Sequence, residues 1–187
     1  MDKTRKSFGA GVAAGTAGLL LLVAVIGLIV IATGAYNVAS TEEHSSLGRW
    51  AFDTTFHRSV EARAADIAAP PNLVAMIERG ASEYKAMCQH CHGGAGVDRD
   101  EWANGMRPLP PHLTEEAPEW EAKEVFWLVK HGAKMTGMPA FGPTHDDETI
   151  WGIVAMVKEL PAMTPERYAA LGEQHGHQHG DSVSHGH

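Results

Sequence analysis

Between Ser7 and Thr41 the chain carries no charged residue, and the centre of that stretch reads LLLLVAVIGLIVIA. About 20 apolar residues in a helix cross the roughly 30 Å of hydrocarbon in a bilayer. A cleavable signal has a shorter apolar region of about 7–15 residues, so the length favours an anchor that stays with the protein, over residues 1–36. Lys3, Arg5 and Lys6 precede the span. Basic residues on that side keep the amino terminus inside, which puts everything after Tyr36 beyond the membrane. The expected location is the cytoplasmic (inner) membrane, single-pass, with the folded part on the periplasmic or outer side. Gly11 and Gly15 have the spacing of a helix-pairing motif, but glycine is common in such spans and the spacing alone does not establish a dimer.

The formal net charge is -8, and beyond the anchor 12 basic and 22 acidic residues leave a net of -10. That balance argues against nucleic acid, whose phosphates need a basic face. It favours partner proteins with a basic docking surface.

Residues 37–71 read as a stalk or docking helix. Thr41 to Ala69 lacks proline, small or apolar residues recur at Leu47, Trp50, Ala51, Thr54, Val60, Ala64 and Ile67, and Pro70-Pro71 ends the run. His57 lies two turns after Trp50 on about the same side, and reads as a partly exposed helix histidine rather than a ligand. From Asn72 the pattern becomes that of a compact helical domain ending near Met163. One helix is expected over LVAMIERGASEYKAMC with Asn72 as its cap, one over PEWEAKEVFWLVKHG with Val125, Leu128 and Val129 inward, and one over DDETIWGIVAMVKEL. Met76, Met87 and Met156 read as core filling. No strand-like alternation of useful length occurs, so the fold class is all-α: a transmembrane helix, a stalk helix and a helical domain.

Both cysteines lie in Cys88-Gln89-His90-Cys91-His92. C-x-x-C-H is the pattern of c-type haem attachment, in which two thiols form thioethers with the porphyrin vinyl groups and the adjacent histidine binds iron. Cys88 and Cys91, one helical turn apart, reach neighbouring edges of one ring while His92 points at its centre. A zinc site would want a second ligand pair, and the domain has no further cysteine. A thioredoxin-like dithiol would want a βαβ setting, and a disulfide across three residues makes a strained loop. One covalent haem c is therefore expected, with His90 on the surface. For the sixth position on iron, Met138 sits in the glycine- and proline-rich KMTGMPAFGP, beside Pro139. Met135, His131 and His145 are its rivals.

Residues 72–163 resemble a class I monohaem cytochrome c. The resemblance rests on Gly80 and Tyr84 in a helix running into CQHCH, a proline-rich loop, the methionine loop TGMPAFG and a closing helix with Trp151. The whole chain, more loosely, resembles the membrane-anchored bacterial members of that family. The resemblance implies a haem packed among three or more helices, with the first and last crossing near Gly80. It also implies that Pro111, in Pro111-His112-Leu113, accepts a hydrogen bond from the proximal imidazole through its carbonyl. Arg107 and Trp127 are candidates for a propionate contact, with ordinary surface and core roles equally open.

Residues 164–187 read as a flexible tail, with His175, His177, His179, His185 and His187 among glycine and serine. Such imidazoles offer ligands to copper or zinc, against the plain alternative of a solvated terminus. The expected function is one-electron transfer between redox proteins, by a membrane-anchored carrier or by a haem subunit of a respiratory complex. With His92 and Met138 filling both axial positions, no catalytic residue is expected.

Overall fold

The computed structural model describes residues 2–172. It is helical, with no strand among the described residues apart from one isolated bridge between Gly94 and Val97. Two compact units are present, residues 1–42 and residues 43–187.

The first unit contains α1, Asp2–Thr33. From Phe8 to Thr33 it has 26 residues with no charge, all leucine, valine, isoleucine, alanine and glycine apart from Phe8, Thr16 and Thr33, and none of them is buried. At about 1.5 Å per residue such a helix is roughly 39 Å long, enough to cross a membrane.

The second unit begins with α2, Ser46–Ala64, whose amino-terminal Ser45 side chain accepts from Gly48 N–H at 3.2 Å. The carboxy-terminal half of α2 is not a free stalk. Val60 and Ala64 are buried, Ile67 packs on the main core, and the rings of Phe56 and His57 lie 5.7 and 4.5 Å from that of Trp120. Of the two readings of residues 37–71, stalk or docking helix, the small and branched residues near the end of α2 fit docking, since they pack on the helix Ala122–His131 of the same unit. His57 is exposed and stacked on Trp120.

A 3-10 turn, Leu73–Met76, leads into α3, Ile77–Met87. Asn72 precedes the turn but makes no side-chain cap. The chain then gives α4, Gln89–His92, and, after a loop, α5, Leu113–Glu116. The helix expected from residue 118 starts later. Trp120 is extended (φ -112°, ψ 137°) behind the 3-10 turn Ala117–Glu119, and α6 runs Ala122–His131. Lys158 Nζ donates to the Ala117 and Trp120 carbonyls at 2.6 and 2.5 Å, which fastens both sides of the break and adds to the bond the Ala117 carbonyl already accepts from Trp120 N–H. α6 is opened by a reciprocal Glu121–Glu124 capping box and closed by Gly132.

α7, Asp147–Glu159, is capped by Asp146, which accepts from Thr149 N–H at 2.8 Å. Its Ile150, Ile153, Val154, Met156 and Val157 are buried, which makes it the centre of the core. α3 crosses it closely enough that a Cβ on Gly80 would lie 1.8 Å from the Gly152 carbonyl oxygen. Only a hydrogen side chain fits at that crossing. Val125, Phe126 and Val129 of α6 cover another side of α7, with Phe126 and Trp151 stacked at 4.2 Å.

α8, Pro165–Ala170, corrects the expectation that the tail starts at 164. Thr164 caps it, and Tyr168, 2% exposed, donates from its hydroxyl to Gln89 Oε1 at 2.6 Å. The tyrosine occupies the space that a side chain on Gly94 would need, 2.3 Å from the position of a Cβ there. The histidines from His175 to His187, and the metal site expected on them, lie outside the described residues.

Candidate haem centre

The cysteines sit where α3 gives way to α4. Cys88 is the residue between the two helices, and Cys91 lies in the single turn of α4, with Cys91 N–H bonded to the Cys88 carbonyl at 3.1 Å. Both are free thiols. Burial, with smaller contributions from Cys91 and Glu83, pushes the Cys88 thiol up to about 12. Burial and then Asp100 raise Cys91. At neutral pH both are protonated sulfurs one turn apart, and among the described residues no group of three or more His, Cys, Asp or Glu is assembled as a metal site.

His92 ends α4, and its Nδ1 lies 2.9 Å from the Pro111 carbonyl oxygen. A carbonyl only accepts, so this contact requires the proton on Nδ1 and leaves the Nε2 lone pair unprotonated. That is the tautomer a metal-ligating imidazole needs. Burial, the largest influence on the ring, lowers its pKa below the ordinary histidine value and keeps it neutral; the Pro111 bond acts in the other direction.

The Pro110-Pro111-His112 segment is itself held from behind. Arg99 Nη1 donates to the Pro110 carbonyl, and Arg99 Nε donates to His112 Nε2 at 3.3 Å. Tyr84, fully buried, donates its hydroxyl to the Gly93 carbonyl at 2.8 Å and so ties α3 to the turn after His92. Sequence reading passed over Arg99. Its signal was being the one cation in Asp98-Arg99-Asp100-Glu101, but nothing local says that it turns toward residues 110–112.

Met138 is half-buried and packs, like Cys88 and Leu113, against the main hydrophobic cluster. Its loop leaves α6 at Gly132, whose φ of 67° is a left-handed conformation, and returns through Phe141 N–H to the Val129 carbonyl (3.1 Å) and Gly142 N–H to the Lys130 carbonyl (2.9 Å). Inside the loop Thr136 Oγ1 accepts from Met138 N–H at 3.1 Å and donates to the Ala133 carbonyl at 2.7 Å. Met135, at φ 62°, is 89% exposed at the tip.

The remaining candidates are engaged elsewhere. His131 is exposed with its ring 4.9 Å from that of Trp127, itself half-buried. His145 lies against Phe141, with Thr144 Oγ1 2.8 Å from its Nδ1. Exposed His90 pairs with Asp100 at 3.0 Å. Arg107 donates to the Asn104 and Met106 carbonyls at 3.0 and 2.7 Å.

These residues fit a covalently held haem on chemical grounds. Two thiols one turn apart precede an imidazole fixed in its donor tautomer, and Cys88 and Met138 border the same apolar cluster. A family model described as cytochrome C oxidase, cbb3-type, subunit III matches residues 75–157. No curated protein matches the chain.

Proposed function

We propose, from the premise that residues 75–157 are a c-type cytochrome domain whose work is haem-based electron transfer, that this chain holds one haem c through Cys88 and Cys91, with His92 and Met138 as axial ligands. On this reading it is an electron carrier or a haem subunit rather than an enzyme in its own right. The cytochrome domain stands on the periplasmic or outer face of the cytoplasmic membrane, tethered by α1. The observation that carries the proposal is the 2.9 Å contact between His92 Nδ1 and the Pro111 carbonyl. It leaves Nε2 as a donor and prevents the ring from turning.

When bound, the haem supplies a metal centre that gains and loses one electron. The protein's part is to hold it and set its potential. Pro111 raises the donor strength of His92 by accepting its proton-side hydrogen bond. A thioether sulfur at the sixth position favours the reduced state and closes the site to small ligands. Tyr84 and Arg99 keep the proximal segment in place, and Thr136 orients the backbone of Met138. The description of the matching family as an oxidase subunit supports assembly into a membrane oxidoreductase, and the apolar helix α1 supports a membrane location.

The test compares Met138→Ala with Met135→Ala. Both should retain haem through denaturation and acid-acetone extraction, because attachment is through the cysteines. Met138→Ala alone should lose the weak long-wavelength band of methionine-ligated ferric haem, bind cyanide and carbon monoxide, and fall in potential. Haem extracted completely from the unaltered protein, or the two variants behaving the other way round, would overturn the assignment.

A further inference from the structure

The loop following the haem-attachment turn carries a large aromatic side chain that the proposed chemistry does not use. Trp102, in the 3-10 turn Glu101–Gly105, is 60% exposed. It is nevertheless held. Its Nε1–H donates to Asp100 Oδ2 at 3.1 Å, and the same oxygen lies 3.0 Å from His90 Nδ1. Asp100 N–H is bonded to the His90 carbonyl at 2.9 Å, so the loop is fastened to α4 by backbone and side chain together. The indole is therefore fixed with respect to the helix that bears Cys91 and His92.

The charge around it is uneven. Asp98, Asp100 and Glu101 are exposed on this loop. Arg99 is half-buried and turns its guanidinium to the Pro110 carbonyl and His112. Arg107, the other cation of the segment, is exposed and bonded to the carbonyls of Asn104 and Met106. Val97 and Leu109 add exposed apolar surface at either end of the loop.

We infer that Trp102, rimmed by Asp98, Asp100 and Glu101, is the contact through which a redox partner with a basic surface docks beside the haem-bearing turn. This rests on the function proposed above and adds the partner's chemistry to it. Tryptophan is the residue type most enriched among those that dominate binding energy, and one already held by a hydrogen bond loses little freedom on docking. The acidic rim steers a basic surface toward it and is screened by salt beyond about 8 Å at physiological ionic strength. In the docked pair one electron leaves the ferrous haem of this chain and reduces a ferric centre on the partner; no bond is made or broken.

The full-length holoprotein in detergent, reduced beforehand, is mixed with a strongly basic soluble c-type cytochrome in its ferric form as the probe. Ferricyanide serves as a small oxidant that needs no docking. Trp102→Ala should lower the second-order rate with the basic probe roughly tenfold at low salt and leave the haem spectrum and the ferricyanide rate unchanged. Trp102→Phe, which keeps a ring and loses the bond to Asp100, should fall between. Glu101→Gln with Asp98→Asn should flatten the salt dependence. Rates for Trp102→Ala and Trp102→Phe within twofold of the unaltered protein would overturn the surface. An unaltered protein oxidised by ferricyanide but not by the basic probe overturns the surface and leaves the function standing. A chain that takes up no electron from dithionite overturns both.

Discussion

The two segments that would flank the haem iron are built in different ways. On the histidine side, residues 84–112 are cross-braced by side chains: Tyr84 to Gly93, His92 to Pro111, Arg99 to Pro110 and His112, His90 to Asp100. On the methionine side, residues 132–142 are fastened mainly at their two ends by backbone bonds to α6. In the interior the Thr136 hydroxyl is joined by two longer backbone bonds, Ala133 N–H to the Met138 carbonyl and Thr136 N–H to the Ala133 carbonyl, both 3.3 Å. The difference follows from what each ligand asks of its surroundings. An imidazole has an orientation and a tautomer to be set, which takes a specific acceptor and supports behind it. A thioether has neither, and needs only to be delivered to the right depth by a loop of suitable length.

Removing a brace from each side should therefore give unequal results. Arg99→Ala should have the larger effect. It takes away the donor to two groups of the proximal segment, and a hydrogen bond from a charged donor is worth roughly 1.5–3 kcal/mol, so a loss of about 2 kcal/mol is expected. Chemical denaturation of the holoprotein measures it, and a loss well under 1 kcal/mol would remove the arginine from the bracing. Thr136→Val keeps the volume and deletes the hydroxyl, with an expected loss of about 1 kcal/mol. Its more telling readout is the rate at which added imidazole displaces the sixth ligand. That rate should rise, whereas Arg99→Ala should change it less; the opposite order would mean that the loop ends alone position Met138. The smallest effect is expected at the tip. Met135 holds a left-handed conformation that costs a non-glycine residue roughly 1–2 kcal/mol, partly offset by the backbone freedom glycine brings to the unfolded chain. Met135→Gly should therefore stabilise slightly, by less than about 1 kcal/mol, with the haem spectrum and potential unmoved. A shift in potential would show that the tip reports on the ligand.

Where function rests on residues close in sequence, it could be read from sequence. The C-x-x-C-H segment forms the single helical turn its spacing called for, and the helices α3, α6 and α7 announce themselves by their apolar period. Three features escaped because their causes lie far along the chain. Arg99 reads as a surface cation until the loop brings it to residues 110–112. The interruption at Trp120 is invisible because apolar residues continue through it, and what stabilises it is Lys158, 38 residues later. The helix α8 has only six residues, too few for a period to show, and its attachment comes from Tyr168 on Gln89 together with Lys85, far back in α3, which donates to the Ala169 and Leu171 carbonyls. For a related reason the sequence leaves open whether the end of α2 is stalk or docking surface. Val60 and Ala64 are small enough to pass for a weakly amphipathic stalk, and only the surface of α6 makes them core.

Tyr168 also fixes an order of events. Its hydroxyl on Gln89 and its ring against Gly94 close the turn that contains both cysteines, yet it is made 80 positions after Cys88. Chains grow at about 5–20 residues per second, so roughly 4–16 s separate the two during synthesis. Throughout that interval nothing contributed by α8 lies over the turn, and the thiols are at their most approachable. On the function proposed above, haem would meet this turn most readily in that interval, before α8 docks.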